Sequence, residues 1–490
     1  MTPPPSRYSR WIAVLALSTT SLLTIAYSHG AEASWPQFRG PGGLGLGTGH
    51  PPVEFGPEKN LLWKIDVARG HSSPCIVGSR MFLTGLDDGK LITFCINRED
   101  GHELWRAVAP SDKIEPMHRL ASAASPTPCT DGEHVFVYFG SYGLLAYDLQ
   151  GKELWRKPLP TPVVEFGTGA SPILAGGKLV IVCDQDMGSY LLAVDAATGK
   201  DAWRTERPEF LRSFSSPFLW KHDGTEEIVV AGSIWVRGYT VQDGRQLWSC
   251  HGVARVSNAT PLAGEGLLLV SSWNVGGDPG DRVMMAPFDE FLAANDSNHD
   301  GVLSKDEFPP GPIKDRFSQI DVNKDGRVTR EEYDHMRDMF AEAENQIFAI
   351  KPGGHGDISG THIAWKVTRH LPYVSSPLCY NGRVFAIKNG GMASCYDAHT
   401  GDTVFQAERM DAPGDYYSSA IGVDDRVYVA SQKGTVVVMD ASRETKELHV
   451  LARNELGEQI YSTPATVDGR LYVRTEKHLF AFGQNDKAPQ

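Results

Sequence analysis

Two acidic stretches near the middle of the chain have the residue types and spacing of a divalent-cation site. Their oxygen-bearing positions are Asp296, Asn298, Asp300, Val302, Ser304 and Glu307 in the first stretch, and Asp321, Asn323, Asp325, Arg327, Thr329 and Glu332 in the second. Both sets occupy positions 1, 3, 5, 7, 9 and 12 of a twelve-residue loop, where position 7 contributes only its backbone carbonyl. Ca²⁺ is a hard cation that prefers such oxygen ligands.

Two further positions in each stretch fit the same arrangement. Gly301 and Gly326 stand at position 6, where a sharp turn disfavours a side chain. Leu303 and Val328 stand at position 8, where paired loops form a short β-bridge. With all side-chain ligand positions matched twice, this segment resembles the EF-hand family, and the resemblance implies two Ca²⁺ sites. An acidic, Asn-rich surface loop is the alternative interpretation, which two complete matches disfavour.

The segment between the two loops limits the helices that flank them. Only thirteen residues, 308–320, separate the loops, and three of them are prolines: Pro309, Pro310 and Pro312. Because proline is excluded from helix interiors, the first loop has almost no helix after it. We predict a short helix over about 313–320, a longer one over about 330–345, and little hydrophobic core in between. These features favour a structural clamp over an opening sensor.

The rest of the chain repeats a different pattern. A small hydroxyl residue followed by proline recurs at Ser73, Ser125, Ser171, Ser216, Thr260, Ser376 and Thr463, and alanine replaces the proline after Ser419. The marks are 43–52 residues apart except for one gap of 116, which contains the acidic loops. Repeats of 40–50 residues that contain about four short strands are typical of β-propeller blades.

A second repeated mark runs in step with the first. A turn glycine precedes an aromatic residue by four positions in five units, with Gly101–Trp105 and Gly199–Trp203 as examples. The tryptophans are placed to pack between neighbouring units. The last unit lacks a fourth strand, and Trp63 lies in a strand before the first unit. We therefore predict an all-β, eight-bladed β-propeller in which the N-terminal strand pairs with 478–483, and in which the α-helical EF-hand pair is inserted in blade five.

These repeats have a family resemblance. The stretch from Val194 to Trp203 resembles the PQQ-like β-propeller repeat, and the opening Trp35–Pro41 is similar to the start of secreted bacterial proteins of that superfamily. The resemblance covers about residues 35–485, apart from the insertion. It implies either a quinoprotein dehydrogenase of alcohols or sugars, or a non-enzymatic propeller like that of the outer-membrane protein assembly machinery.

The sequence favours the non-enzymatic alternative. The dehydrogenases of this superfamily have an adjacent Cys-Cys pair at their cofactor, and this chain has none. We therefore expect a calcium-binding, non-catalytic binding or scaffold module, and we do not expect PQQ as a cofactor. The quinone-dependent dehydrogenase and a purely structural cell-surface protein remain open as alternatives. The seven scattered cysteines fit buried apolar positions better than disulfides.

Composition and the N-terminus suggest a location and a domain plan. Residues 1–33 have the basic, apolar and small-residue order of a secretory signal peptide, so the mature chain is expected in the periplasm or outside the cell, with no membrane span. We expect an N-terminal extension at 34–59, propeller at 60–280 and 346–485, and the EF-hand pair at 281–345. The net charge of −13 disfavours nucleic acid as a partner.

A ligand site is expected at one mouth of the propeller channel. The segments that lead into the innermost strands carry Arg69, His71, Arg119, Arg212, Phe214, Arg255, Tyr373, Tyr417 and Tyr461. Cations beside aromatic rings suit an anionic or sugar-like ligand or an acidic protein segment; the alternative is that these residues only pack the mouth. The insertion joins the second and third strands of its blade, so it should lie beside this mouth.

Overall fold

In the computed structural model, which describes Met1 and residues 34–484, eight four-stranded antiparallel sheets form an eight-bladed β-propeller. The expected signal peptide at 1–33 lies outside the described residues, Met1 excepted. Among residues 34–484, no helix is long and apolar enough to span a membrane.

The first four blades follow one another directly along the chain. From the innermost strand outward, blade 1 contains Cys75–Val77, Arg80–Asp87, Lys90–Asn97 and Glu103–Val108. Blade 2 contains Cys129–Thr130, His134–Phe139, Gly143–Asp148 and Glu153–Pro158. Blade 3 contains Ile173–Ala175, Lys178–Cys183, Tyr190–Asp195 and Asp201–Glu206. Blade 4 contains Phe218–His222, Thr225–Ala231, Trp235–Thr240 and Gln246–His251.

The remaining blades contain the insertion and the ring closure. Blade 5 contains Leu262–Gly264, Leu267–Ser272, Gln346–Ile350 and Ile363–Val367. Blade 6 contains Leu378–Tyr380, Arg383–Lys388, Met392–Asp397 and Thr403–Arg409, and blade 7 contains Ile421–Val423, Arg426–Ala430, Thr435–Asp440 and Val450–Glu455. Blade 8 contains Ala465–Val467, Arg470–Arg474, His478–Phe482 and Leu61–Asp66. Two short strands, Ser34–Trp35 and Gly356–Asp357, add to blades 1 and 4.

The two ends of the propeller chain meet in blade 8, as the sequence predicts. The strand Leu61–Asp66 pairs antiparallel with His478–Phe482, so that Trp63 lies opposite Ala481 and Lys64 opposite Phe480. Blade 8 thus obtains its fourth strand, and the ring of blades is closed.

Tryptophan and glycine from adjacent blades fit together at five junctions. The indole N–H groups of Trp63, Trp105, Trp155, Trp203 and Trp365 donate to backbone carbonyls of the next blade at 2.9–3.1 Å. At one junction, Gly199 lies against Trp155 with a φ of +68°, and a Cβ there would be 2.5 Å from the indole ring. The repeated glycine is therefore required by the tryptophan of the preceding blade.

A closed ring of hydrogen bonds joins the innermost strands around the channel. In each blade a backbone N–H at the start of the innermost strand donates to the side-chain hydroxyl of the equivalent residue in the next blade. The ring runs through Ser73, Thr127, Ser171, Ser216, Thr260, Ser376, Ser419 and Thr463 and returns to Ser73, with distances of 2.9–3.2 Å. All eight side chains are buried.

One position of this ring differs from the sequence prediction. In blade 2 the ring residue is Thr127 rather than Ser125, because two hydroxyl–proline pairs follow each other there and the inner strand begins after the second. The hydroxyl of Ser125 instead donates to the carbonyl of Ser122.

The insertion joins two strands of blade 5 that pair directly with each other. It contains helix α1 (Phe288–Asn295), helix α2 (Phe317–Ile320), helix α3 (Arg330–Glu342) and two 3₁₀ turns, Lys305–Glu307 and Lys314–Arg316. The expected bridge forms between Leu303 and Val328.

The expectation of little core in the insertion is wrong. Aromatic side chains from all three helices pack with Phe308, which precedes the prolines, into a continuous apolar cluster. The ring of Phe291 lies 5.3 Å from that of Phe308, which lies 5.3 Å from Phe317. The prolines shorten the helices but leave the flanking phenylalanines free to fill the centre.

The hydroxyl ring can be tested at Ser171. In Ser171→Ala, the buried N–H of Thr127 loses its acceptor, and we expect the free energy of unfolding to fall by about 1–3 kcal/mol. Ser171→Thr is the control, because it keeps the hydroxyl and threonine already occupies three of the ring positions. Its free energy of unfolding should fall much less. Urea denaturation measures both, and equal losses would show that the hydroxyl is not the relevant group.

Candidate functional site

The central channel contains a cavity of about 460 Å³. Its walls are the segments that lead into the innermost strands, and all eight hydroxyl-ring residues contribute to its lining. Each ring hydroxyl already accepts one backbone N–H, which leaves its own proton free to be donated elsewhere.

The structure brings most of the predicted mouth residues together around this cavity. Those that line it are His71, Arg212, Phe214, Arg255, Tyr373, Tyr417 and Tyr461. Arg69 does not, because its exposed side chain turns outward toward Glu476, at 3.8 Å. Arg119 is also exposed and outside the lining.

The insertion forms one wall of the cavity, in agreement with its predicted place beside the mouth. Gln319 of helix α2 lines the cavity, and the guanidinium of Arg255 lies over the ring of Phe340 in helix α3, 5.3 Å from its centroid. The core of the insertion also includes Leu211 and Ile234 of the propeller. No local sequence pattern around Gln319 indicates this role, because it depends on how the insertion docks.

A charged chain of contacts links the second acidic loop to the cavity. Lys324 of that loop lies 3.6 Å from Asp186. Asp186 in turn holds Arg212 through two contacts of 2.7 and 2.9 Å, and Glu165 contacts the same arginine at 2.6 Å. The positive charge of Arg212 is therefore already neutralised by protein carboxylates.

The N-terminal extension passes beneath the cavity. It contacts the innermost strands of several blades, through the N–H of Thr130 bound to the carbonyl of Pro36 and through a bridge from Leu46 to Gly422. Phe38 from this segment lines the cavity, and the adjacent Arg39 is fully buried, with a 2.7 Å hydrogen bond to the carbonyl of Pro377 beside the hydroxyl ring.

Three largely buried arginines near the channel have no carboxylate partner among residues 34–484: Arg39, Arg255 and Arg474. Arg474 donates to the carbonyls of Ser72 and Ala68, and Arg255 makes only a long 3.4 Å contact to Asn274. Burial lowers the pKa of Arg39 and of Arg255 to about 10 and that of Arg474 to about 9, so all three stay charged at neutral pH. One charged guanidinium, that of Arg255, therefore lines the cavity, and two more lie close to the hydroxyl ring.

Another part of the cavity wall is uncharged and consists of stacked aromatic rings. The rings of His71 and Tyr461 are 4.3 Å apart and nearly parallel, and Tyr417 stacks on Tyr461 at 5.7 Å. Burial, and to a lesser extent the charge of Arg474, lowers the pKa of His71 to about 3, so this ring is neutral. The stack offers a flat, uncharged surface to a ligand.

The two acidic loops have the same internal hydrogen bonds. In each, the glycine N–H at position 6 donates to the position-1 aspartate at 3.0 Å, and the position-5 N–H donates to the position-3 asparagine at 2.9 Å. Glu307 and Glu332 fold back onto Ser304 and Thr329. Within the described residues, no three His, Cys, Asp or Glu side chains already converge as a metal cage. The oxygen donors nevertheless fit a Ca²⁺ ion in type, order and loop conformation.

One contact distinguishes the first loop from the second. Arg327, at position 7 of the second loop, places its guanidinium 2.8 Å from a carboxylate oxygen of Asp300 in the first. A cation in the first loop must therefore share this carboxylate with an arginine. In the second loop the position-5 carboxylate is that of Asp325, and no described arginine or lysine side chain contacts it.

None of the cysteines lines the cavity. All seven are free and buried, in agreement with the favoured interpretation as apolar packing residues. Burial raises the pKa of Cys95 to about 12, which keeps that thiol protonated and unreactive.

The fold and the insertion together define the class: a PQQ-like β-propeller with an EF-hand segment. The sequence profile of the family described as "Outer membrane protein assembly factor BamB" matches residues 57–165, 90–277 and 356–486, so the chain belongs to that family. The matched ranges leave out 278–355, which contains the insertion. A profile described as "EF hand" matches residues 313–336, around the second loop.

Individual proteins are similar over shorter stretches. The outer membrane protein assembly factor BamB of Burkholderia pseudomallei is 29% identical over 204 residues, 40% of this chain and 48% of that protein. Quinohemoprotein alcohol dehydrogenase ADH IIB of Pseudomonas putida is 25% identical over 192 residues, 36% of this chain and 27% of that protein. The chain thus spans less than half the length of either relative. The crystal structure of BamB from Moraxella catarrhalis has the same fold, with a TM-score of 0.55 at 11% identity over 88% of this chain and 99% of that one.

Proposed function

We propose that this chain is a calcium-binding, non-catalytic propeller that acts outside the cytoplasm as a binding or scaffold module. The observation that carries the proposal is the insertion of two matching acidic loops against the mouth of the channel, where they can stiffen one wall of the cavity. The family description as an assembly factor supports a protein partner, and the basic, apolar and small-residue order of residues 1–33 supports export.

The ligand assignment follows from the loops themselves. In each loop two aspartates, an asparagine, a hydroxyl residue, a backbone carbonyl and a glutamate supply the oxygens. Glu307 and Glu332 would bind the ion with both carboxylate oxygens once they leave the backbone N–H and hydroxyl groups of Ser304 and Thr329. We expect dissociation constants of about 10⁻⁵ to 10⁻³ M, the range from calcium sensors to extracellular modules.

Calcium binding can be measured by calorimetry, together with limited proteolysis. We expect two sites in the parent, with residues 280–345 protected from cleavage by Ca²⁺, because the six carboxylates of the loops repel one another without a cation. Replacing both Glu307 and Glu332 by Gln should abolish binding and protection while the propeller stays folded. Glu331→Gln, one residue away on helix α3, is the matched control. Undiminished Ca²⁺ binding in the double variant would show that these loops are not the Ca²⁺ sites. Unfolding of the whole protein by chelator would show that the insertion is not a local clamp.

The contact between Arg327 and Asp300 predicts that the first loop binds Ca²⁺ more weakly than the second. In Arg327→Ala the carboxylate of Asp300 is released, which should tighten the weaker site about two- to fivefold, as expected for an exposed ion pair of about 0.5–1 kcal/mol. Arg337→Ala, which removes an arginine that pairs with Asp334 and Asp338 in helix α3, should change neither site. Identical calorimetric isotherms for the parent and Arg327→Ala would contradict the assigned asymmetry.

The dehydrogenase alternative has a direct assay. Because the chain has no adjacent cysteine pair and all its thiols are buried, we expect no oxidation of alcohols or aldose sugars in the presence of pyrroloquinoline quinone, Ca²⁺ and an artificial electron acceptor. The alcohol dehydrogenase relative makes this assay necessary. Dye reduction that depends on both quinone and substrate would replace the non-catalytic proposal by the enzymatic one.

A further inference from the structure

Two residues that line the channel cavity each have a buried polar atom that lacks a partner among the described residues. These atoms are the Nε of Arg255, a hydrogen-bond donor with positive charge, and the Oε1 of Gln319, an acceptor. Buried polar atoms are nearly always hydrogen-bonded, and a buried cation without an anion is costly. A cavity ligand that binds these two side chains must therefore offer an anion to the Arg255 guanidinium and a hydrogen-bond donor to the Gln319 amide oxygen, which turns toward the ligand on binding.

The charges around the cavity select an anion in particular. Arg212 is neutralised by Asp186 and Glu165, so it contributes little net charge. Arg255 faces the cavity without such a partner, while Arg39 and Arg474 add positive charge beneath and beside it. The insertion carries 15 acidic and 7 basic residues over 288–346, yet none of its carboxylates pairs with Arg255.

The remaining lining distinguishes a sugar from other anions. The stack of His71, Tyr461 and Tyr417 presents flat uncharged rings, which suit the apolar C–H face of a pyranose. The floor of the cavity is a ring of eight Ser and Thr hydroxyls, each with a proton to donate to a ligand hydroxyl. A volume of about 460 Å³ suits a short oligosaccharide.

We infer that the cavity is a binding site for an acidic carbohydrate, whose carboxylate pairs with Arg255 and whose hydroxyls bind Gln319 and the hydroxyl ring while one sugar face stacks on Tyr417, the outer ring of the aromatic stack. This inference rests on the proposed function, since it names the ligand class of that binding module. The insertion then has a direct part in recognition, because Gln319 comes from helix α2 and Phe340 of helix α3 supports Arg255.

The test is a calorimetric titration of the mature, calcium-loaded protein with a trimer of galacturonic acid. We expect binding that is at least tenfold tighter than binding of the matching neutral galactose trimer. Arg255→Gln should weaken uronate binding at least tenfold by removing the charge-assisted contact. Arg245→Gln, an exposed arginine in the outer turn of blade 4, is the control and should bind as the parent does.

A second pair of variants separates recognition from damage to the docked insertion. Tyr417→Ala lies on the opposite wall, away from the insertion, and should weaken both the acidic and the neutral trimer. Gln319→Ala should weaken uronate two- to fivefold with an unchanged melting temperature. If Arg255→Gln lowers uronate affinity while Tyr417→Ala does not, the sugar-stacking assignment is wrong.

The other outcomes each overturn the inference in a recognisable way. Triglutamate that binds as tightly as the uronate, with the same dependence on Arg255, would identify an acidic protein segment instead. Tighter, Arg255-dependent binding of pyrroloquinoline quinone would identify a quinone site and would also reopen the enzymatic alternative. No uronate binding at millimolar concentration, with normal calcium binding, would overturn the inference alone and leave the proposed function intact.

Discussion

The propeller depends on one repeated interaction, the hydrogen bond from a backbone N–H at the start of each innermost strand to a hydroxyl of the next blade. Eight such bonds form a closed circle around the channel. A buried N–H requires an acceptor, and the serine or threonine supplies it. In seven of the eight blades the next residue is proline, which has no N–H and therefore needs no hydrogen-bond acceptor in this buried region. The circle fixes the radius at which the mouth segments stand.

Much of the fold is predictable because its determinants recur. The hydroxyl–proline and glycine–tryptophan marks each report a contact between neighbouring blades, so their regular spacing predicts the blades, and the unpaired Trp63 strand predicts the closure. Blade 2 misleads because Ser125 and Thr127 both precede a proline, and only tertiary pairing selects between them.

The candidate site is less predictable, since it depends on docking rather than on local pattern. The ligand positions of the acidic loops can be predicted from the sequence because twelve consecutive residues determine their geometry. Gln319 and Phe340 have ordinary helical surroundings, and only the packing of the insertion on Leu211 and Ile234 brings them to the cavity. Likewise, nothing in the sequence distinguishes the buried Arg39 and Arg474 from the exposed Arg69.

The molecule separates its charges over a short distance. The acidic insertion stands at the rim, while Arg255 lines the cavity and Arg39 and Arg474 are buried next to it, where low dielectric and protein walls strengthen their field. The two regions meet at Asp186, which contacts both Lys324 of the second loop and Arg212 of the cavity wall. Any change in the position of that loop therefore changes the surroundings of the cavity directly.

Blade 8 contains strands from both ends of the propeller chain, and this determines when folding can finish. Ser73 and Thr463, which close the hydroxyl ring, are 390 residues apart in the chain. Blades 1 to 7 are built from local segments and can form in order as the polypeptide emerges, but Leu61–Asp66 must wait for His478–Phe482. Until then the strand that contains Trp63 presents an unpaired edge, so the nascent protein stays exposed to edge-to-edge aggregation until His478–Phe482 has been made.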